Sequence, residues 1–281
     1  MPGRRVAVML TLVALLIAGC GADDDTPPSI AVGAGPDAES ELLAQVYAAS
    51  LRYYGSPAHV ERGDDPVADL DTADVQVVPG LTGRLLARFD PDAVALGDEQ
   101  VYRSMISSLP EGMATGDYAM SASDEPAPAV AESTATTWDG RDVSALVRHC
   151  AGRRVGAVRG ATPPAELGTC TLPKPREYPD AAALFAGLRS GQVDVAWTST
   201  AAPGVPDGVV VLADKTSLIR AENVVPIYRR NELSERQVLA LNEIAGELDT
   251  GSLADILRKV DEGADSGAVA AEWLESHPLG H

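Results

Sequence analysis

The chain has 281 residues, of which 45% are hydrophobic and 22% are charged. This length and composition suit a globular protein of one large or two medium domains. The 41 Asp and Glu residues against 22 Lys and Arg give a formal net charge of -19 at pH 7, which disfavours binding along a nucleic-acid phosphate backbone. Aromatic residues make up only 4% of the chain, so an aromatic-lined site must be built from few side chains.

Residues 1–19 have the features of an export signal. Arg4 and Arg5 precede a run over residues 6–18 that is apolar apart from Thr11, which is too short to cross a bilayer as a helix. The run ends in Ile-Ala-Gly followed by Cys20, which resembles a bacterial lipobox. In a lipobox the cysteine thiol is lipidated and the chain is cut just before it, so we predict lipidation at Cys20. Ordinary signal peptidase cleavage, with Cys20 incidental, is the alternative.

Residues 20–28 follow the predicted cleavage point and are rich in Asp and Pro, without a periodic apolar pattern. Such a segment is typical of a solvated linker. We therefore expect a tether that holds the protein by its lipid at the extracytoplasmic face of the cell membrane, without spanning it.

The chain after the tether alternates between strand and helix patterns. Glu39–Tyr54 predicts a helix with a broad apolar face, and Pro126–Arg141, rich in Ala, Pro, Ser and Thr, favours a surface connection. The alternation of strands and helices predicts an α/β fold with a parallel sheet. The β-branched runs that predict strands are Ser29–Val32, Val60–Glu61, Val75–Val78, Val155–Val158, Val193–Trp197 and Val209–Leu212.

Cys150 and Cys170 are the cysteines that remain once Cys20 is used. In an exported chain two thiols tend to pair, which predicts a disulfide. Two reduced thiols are the alternative. His149 is adjacent to Cys150 and not at a ligand spacing, so we predict no zinc site.

The C-terminal part of the chain predicts three consecutive helices that close the fold. Ser234 and Gln237 have the spacing of a capping box at the start of the first. The second begins near Thr250, and the third spans about residues 266–276. Trp273 lies on an apolar helical face, which favours a packing role over a ligand contact.

The sequence contains no recognised catalytic motif. It lacks the G-x-S-x-G, H-E-x-x-H and G-x-x-x-x-G-K-[ST] patterns. The run Gly33-Ala34-Gly35 lies between a predicted strand and a predicted helix but lacks the third glycine of G-x-G-x-x-G, which favours a turn that directs a helix N-terminus at a cleft. We predict no catalytic residue, no cofactor and no metal.

Several segments together resemble one family, the OpuAC-type substrate-binding lipoproteins of ABC importers for glycine betaine, choline, carnitine and related osmoprotectants. The similar segments are Ile30-Ala31-Val32-Gly33 with Glu39, Val78-Pro79-Gly80-Leu81-Thr82-Gly83, Tyr118-Ala119-Met120, Gly191-Gln192-Val193-Asp194-Val195-Ala196, Val211-Leu212-Ala213-Asp214, Asn223-Val224-Val225-Pro226, Leu248-Asp249-Thr250 and Val260-Asp261. The resemblance lies in their order and spacing, and it covers nearly the whole chain after the tether.

The resemblance implies a type II periplasmic binding-protein fold, in which two α/β lobes joined by crossover strands close on a solute. Lobe I would comprise residues 29–111 and 215–281, including the helical cap, and lobe II residues 112–214. The closed form would dock on an ABC permease. We expect the protein to act as a monomer, with a small-molecule solute and a permease as partners and without enzymatic activity.

The resemblance also implies that aromatic faces hold a quaternary ammonium by cation–π attraction, but the sequence departs from that pattern. Leu81 replaces the tyrosine of the family's P-E-Y-T-G turn, and an aromatic residue near Glu39 is replaced by Asp37. Tyr118 and Trp197 remain as aromatic candidates, with packing inside a lobe as the alternative for each. The predicted ligand-binding residues are Ala34, Gly35, Asp37, Glu39, Leu81 and Thr82 on one wall and Tyr118, Trp197, Thr198, Ser199 and Thr200 on the other.

Three other functions stay open. The protein could bind a non-quaternary polar solute, or it could be an accessory lipoprotein with a degenerate cleft that binds a partner protein. An exported hydrolase would need a nucleophile beside a histidine in the cleft. None of the four histidines lies in a segment assigned to the cleft, and they are His59, His149, His277 and His281.

Overall fold

A computed structural model of the chain describes residues 28–280. The predicted export signal, the lipidation at Cys20 and nearly all of the tether lie outside the described residues. Within residues 28–280, no helix is both long enough and apolar enough to cross a membrane.

The described residues form alternating strands and helices that belong to an α/β fold. The strands are β1 Ile30–Ala34, β2 Ala58–Arg62, β3 Val77–Leu81, β4 Met113–Thr115, β5 Pro126–Ala131, β6 Val155–Val158, β7 Glu166–Leu167, β8 Cys170–Thr171, β9 Arg176–Tyr178, β10 Val195–Ser199, β11 Val209–Val211 and β12 Val224–Arg229. The helices are α1 Ala38–Tyr53, α2 Pro66–Thr72, α3 Thr82–Phe89, α4 Asp98–Ser108, α5 Glu132–Trp138, α6 Val143–His149, α7 Ala181–Arg189, α8 Glu235–Glu247, α9 Thr250–Asp261 and α10 Ser266–Ser276. All six predicted strands are present; β6 has the predicted ends, and the other five have at least one end shifted.

Two five-stranded sheets define two lobes. The first has the order β2-β1-β3-β12-β4, and the second has the order β11-β5-β10-β6-β9. In the first, β1 is parallel to β2 and β3, whereas β12 is antiparallel to β3 and β4. The chain therefore passes from the first sheet to the second between β4 and β5 and returns between β11 and β12. We call residues 116–125 the first crossing and residues 212–223 the second crossing.

The first crossing lies later in the chain than the predicted start of lobe II at residue 112. Strand β4 pairs with β12 as an edge strand of the first sheet, with Tyr228 opposite Ala114. Residues 113–115 thus belong to the first sheet, because β12 offers its free edge to this segment after the chain has returned.

The prediction of a surface connection over Pro126–Arg141 is wrong. Its first part is β5, which lies inside the second sheet between β10 and β11, and its second part contains α5. The carbonyl of Pro128 accepts the Leu212 N–H at 2.9 Å, so the strand stays in the ladder although its prolines lack N–H donors. Its short Ala and Pro side chains conceal the alternation that normally marks a strand.

The three C-terminal helices close the first lobe, as predicted. Ser234 and Gln237 form the complete capping box of α8, and α1 packs against α8, α9 and α10. Trp273 is 4% exposed and belongs to the core around α1, which confirms its packing role.

The second lobe carries the predicted disulfide. Cys150 and Cys170 are bonded, with Cα atoms 6.1 Å apart. The bond joins the end of α6 to β8, and Cys170 is buried among core residues of this lobe.

Candidate functional site

A cavity of about 530 Å³ lies between the two lobes. Its walls come from three sources: Arg84 of the first lobe, Asp124 and Glu222 of the crossings, and residues of the second lobe. The second-lobe residues are Val158, Ala161, Thr162, Pro163, Ala181, Leu184, Trp197, Thr198 and Ser199, with Pro126 at the start of β5. We call this space the interlobe cavity.

A second cavity, of about 300 Å³, lies on the first lobe and shares Arg84 with the interlobe cavity. Asp37, Glu39 and Leu81 are among its lining residues. The carboxyl ends of β1 and β3 meet at one edge of the first sheet, and α1 and α3 begin there. This edge is the usual place for a ligand in an α/β lobe.

The start of α1 positions Glu39 at this edge. Asp37 caps the helix by accepting the Ser40 N–H at 2.9 Å, and Glu39 follows in the first helical turn. The Gly35 N–H donates to the Ser40 Oγ at 2.7 Å, so the loop before the helix is held by its own hydrogen bonds.

Arg84, in the first turn of α3, connects three carboxyl groups. Its Nη1 donates to Glu39 Oε2 at 2.9 Å, and its Nη2 lies 3.9 Å from Asp124 Oδ2. Its backbone N–H donates to Glu222 Oε2 at 2.8 Å. We call Glu39, Asp124 and Glu222 the cleft carboxylates. One arginine therefore faces three acidic side chains that come from α1 and from the two crossings.

The electrostatic balance of this cluster favours protonated carboxyls. Burial, and then the nearby charge of Asp124, raises the pKa of Glu39 to about 8, although Arg84 opposes the shift. Burial raises the pKa of Glu222 to about 7, again against Arg84. The neighbouring Glu125 also has its pKa raised to about 7, first by burial and then by the charge of Asp214. The cluster thus contains more carboxyl groups than the single guanidinium of Arg84 can compensate.

The predicted first-wall residues separate into two groups. Asp37, Glu39 and Leu81 line the first-lobe cavity, whereas Ala34, Gly35 and Thr82 are buried and line neither cavity. The Thr82 hydroxyl accepts the N–H of Asn223 at 3.0 Å, so its polar group is used within the fold.

The predicted second-wall residues also separate. Thr198 and Ser199 line the interlobe cavity. Trp197 borders it too, but its side chain is 3% exposed and belongs to the core of the second lobe. Thr200 is bonded to the first crossing, because its hydroxyl donates to the Ser123 carbonyl at 2.9 Å and accepts the Glu125 N–H at 3.1 Å.

Tyr118 lines neither cavity. Its ring packs against Tyr102 of α4, with centroids 4.4 Å apart, among the core residues of the first lobe. It lies there because the start of the first crossing is still bonded to β12 of the first lobe, with the Ala119 N–H donating to the Val224 carbonyl at 2.8 Å. The structure therefore places both aromatic candidates in lobe packing environments, Tyr118 on the first lobe and Trp197 in the second.

Sequence reasoning missed Arg84 and the two carboxylates of the crossings. Arg84 directly follows Gly83 of the quoted turn, and Glu222 directly precedes Asn223 of the N-x-x-P segment. Asp124 stands just before β5. Their positions beside quoted motifs were the available signal, but acidic residues are too frequent in this chain for any of them to stand out.

The two-lobe architecture is that of type II periplasmic binding proteins, and solved structures of such proteins are similar to this chain. Apo YehZ from Escherichia coli has a TM-score of 0.72 and 20% sequence identity, and the match covers 90% of this chain and 99% of that one. A glycine betaine/carnitine/choline ABC transporter structure has a TM-score of 0.76 and 15% identity, over 89% and 98% of the two chains. A choline-binding protein in complex with choline has a TM-score of 0.56 and 16% identity, over 89% of each chain.

The family follows from sequence. The OpuAC model, which describes the substrate-binding domain of the ABC-type glycine betaine transport system, matches residues 28–276. The chain therefore belongs to the OpuAC family of substrate-binding proteins of ABC transporters. A comparison with curated proteins finds no match. Proteins of this class are extracytoplasmic and in general non-enzymatic, and they bind small solutes that they present to a permease.

Proposed function

We propose that this protein is the lipid-anchored, extracytoplasmic substrate-binding protein of an ABC importer. It binds a small osmoprotectant-like solute between its lobes and delivers it to a permease. The observation that carries this proposal is the interlobe cavity, to which both lobes and both crossings contribute residues. Its volume of about 530 Å³ is in the range of small-molecule sites.

The two crossings provide the hinge that such a mechanism needs. They run side by side, with an antiparallel bridge between Ser123 and Asn223. The Asn223 Nδ2 donates to the Ala119 carbonyl at 3.0 Å, and Asp124 Oδ1 accepts the Ala201 N–H at 3.0 Å. Closure of the lobes would rotate the backbone near these residues. Because Asp124 and Glu222 lie on the crossings, a bound solute would contact the hinge directly.

The proposed anchor is the lipid on Cys20, followed by the tether of residues 20–28. A fully extended segment of this length reaches about 30 Å, enough to hold the first lobe near the membrane without pressing it against the surface. Lipid labelling in a bacterial host tests the anchor. We expect label on the wild-type chain and none on Cys20→Ala, which should also appear in the soluble fraction. A labelled Cys20→Ala chain would contradict the proposal.

A degenerate cleft that binds a partner protein is a second candidate. The positions of Tyr118 and Trp197 favour it, because neither offers an exposed aromatic face to the interlobe cavity. In that case the chain would have kept the fold and lost the solute.

A solute screen separates the two functions. The chain from residue 20 onward, with Cys20→Ser to prevent lipidation, is melted with glycine betaine, choline, carnitine, ectoine, amino acids, amines and guanidines. A bound solute stabilises the folded state by an amount that grows with the logarithm of its concentration over Kd. We expect at least one clear stabiliser, confirmed by calorimetric titration. No shift with any compound would overturn the solute-binding proposal and leave the accessory role.

A further inference from the structure

The charge and hydrogen-bonding pattern of the cleft identify a class of solute. Resting on the proposed function, we infer that the cleft selects an organic cation with N–H donors, such as a primary ammonium or a guanidinium, over a quaternary ammonium. The inference depends on the cleft carboxylates, on one unpartnered oxygen and on the side chains that line the two cavities.

The charged side chains of the cleft favour a positively charged solute. Among the described residues, Arg84 is the one basic residue that lines the interlobe cavity, opposite Asp124 and Glu222. Arg88 lines the first-lobe cavity, but it is paired with Asp65 at 2.8 Å. Its guanidinium is already engaged by Glu39. Arg220 also acts on Glu222, but its guanidinium donates to backbone carbonyls of the segment before α4. The three cleft carboxylates thus share one guanidinium, and a positively charged solute would supply a second cation.

One buried acceptor atom of the cleft has no hydrogen-bond donor among the described residues. Glu39 Oε2 accepts from Arg84, whereas Glu39 Oε1 is buried and has no hydrogen-bond partner in the described structure. A buried carboxylate oxygen without a donor is costly. An ammonium or guanidinium can donate to it, but a quaternary ammonium has no N–H. Burial, and then the charge of Asp124, raises the pKa of Glu39 although Arg84 opposes the shift, so Arg84 alone does not fully compensate this carboxyl.

The two cavities have few aromatic faces that could hold a quaternary ammonium. A quaternary ammonium is held by ring faces within about 6 Å. Among the described residues that line the two cavities, Trp197 is the sole aromatic residue, and its side chain is 3% exposed. An aromatic cage is therefore missing from both cavity walls as described.

The second-lobe wall limits the charge that a solute can carry. Apart from Trp197, its lining residues are aliphatic or carry hydroxyl groups, as Leu184, Thr198 and Ser199 illustrate, and none of those described is charged. A solute carboxylate would find no fixed cation on this wall. The body of the solute is therefore expected to be short and uncharged, with its cationic end toward the first lobe and the hinge.

A metal ion fits the cluster less well than an organic cation. Among residues 28–280, no group of three or more His, Cys, Asp or Glu side chains is arranged to hold a metal. The guanidinium of Arg84 already lies between Glu39 and Asp124. An organic cation can add its donors beside Arg84 without displacing it.

Matched pairs of probes test the inference on the Cys20→Ser chain at pH 8.5. Each pair differs in N-methylation: ethanolamine against choline, methylammonium against tetramethylammonium, and glycine against glycine betaine, with methylguanidine and agmatine as guanidinium probes. We expect the best protonated amine or guanidine to bind at least tenfold more tightly than every quaternary compound by calorimetric titration. A quaternary or neutral solute that binds equally well or better would overturn the inference and leave the proposed function intact.

A matched variant pair assigns the selectivity to the cleft. Glu39→Gln keeps the shape and removes the charge, and it should weaken the best cationic probe at least tenfold. Glu41→Gln is the control, because Glu41 lies in the same first turn but pairs with Arg62 and Ser266 outside both cavities. Equal affinities for the two variants would overturn the role of Glu39. Binding of no compound by the unaltered chain would instead overturn the proposed function.

Discussion

The two walls of the cleft differ in chemistry. The first lobe and the crossings contribute the cleft carboxylates and Arg84, with Asp37 and Arg88 in the first-lobe cavity, whereas the described second-lobe wall has Trp197 and otherwise hydroxyl and aliphatic groups. Charge is thus concentrated at the two crossings, and on the proposed function the second lobe would close over a solute as an uncharged cover. On the proposed function, we expect the first wall to determine which solutes bind and the second wall to determine how well they are enclosed.

The strongest test compares one double variant on each wall. Glu39→Gln with Glu222→Gln removes two acidic groups, and we expect affinity for the best cationic solute to fall more than about 100-fold, because hydrogen bonds to charged groups contribute about 1.5–3 kcal/mol each. Thr198→Ala with Ser199→Ala removes neutral hydroxyls and should cost less than about tenfold. Calorimetric titration measures both. Similar losses on the two walls would erase the distinction between them.

The lobes also differ in how their chain segments are held together. The first is closed by α8, α9 and α10, which return from the end of the chain, and the second contains the bond between Cys150 and Cys170. Replacing both cysteines by serine should lower the free energy of unfolding by about 3 kcal/mol, as expected for a loop of this length. Chemical denaturation measures the loss. Solute affinity should change less than twofold, since neither cysteine lines a cavity, and a large loss of affinity would show that the second wall depends on this bond.

A pH titration tests the ionisation of the charged wall. With a pKa of about 8 for Glu39 and about 7 for Glu222, both groups are mostly protonated at pH 6 and gain charge as the pH rises. A guanidinium probe stays protonated throughout, so its affinity should increase about tenfold or more between pH 6 and pH 8.5. Burial is the main cause of both raised pKa values. The charge of Asp124 adds to it at Glu39, whereas Arg84 opposes it at both residues and Arg220 opposes it at Glu222.

The same shifts give the opposite sign for the stability of the solute-free protein. A carboxyl whose pKa is raised by folding stabilises the fold fully below its unfolded pKa, and that contribution is lost as the pH rises through the folded value. The solute-free chain should therefore become less stable from about pH 5 to pH 8, while its affinity for the cation increases. A flat affinity profile, or proton uptake instead of release on binding, would contradict this account of the charged wall.

Much of the fold was predictable because it depends on local patterns. The β-branched runs, the helical face of Glu39–Tyr54 and the capping box at Ser234 all correspond to elements of the structure. Strand β5 was not predicted, because its Ala and Pro side chains show no alternation of polar and apolar residues. Tyr118 was given to the second wall because the edge pairing of β4 with β12, which keeps it on the first lobe, joins segments far apart in sequence.

The site was predictable only in part, since its charges meet through the two crossings. The resemblance pointed to Glu39, Thr198 and Ser199, all of which line a cavity. Asp124 and Glu222 lie about a hundred residues apart in sequence and converge on Arg84 only when both crossings are formed. In a chain with 41 acidic residues, no local pattern distinguishes these two from the solvated majority.

Helix-cap variants have the smallest expected effect, and they test whether the two lobes unfold together. Ser234 caps α8 in the first lobe, and Asp180 caps α7 in the second. Replacing either by Ala should cost about 1 kcal/mol. Because hydrogen bonds at the crossings, such as that from Ala201 to Asp124, tie the lobes at the hinge, we expect both variants to lower one shared calorimetric transition. Two separate transitions, each moved only by the variant in its own lobe, would mean that the lobes are independent folding units. The charged wall would then be retained by the first lobe and the hinge even after the cover had unfolded.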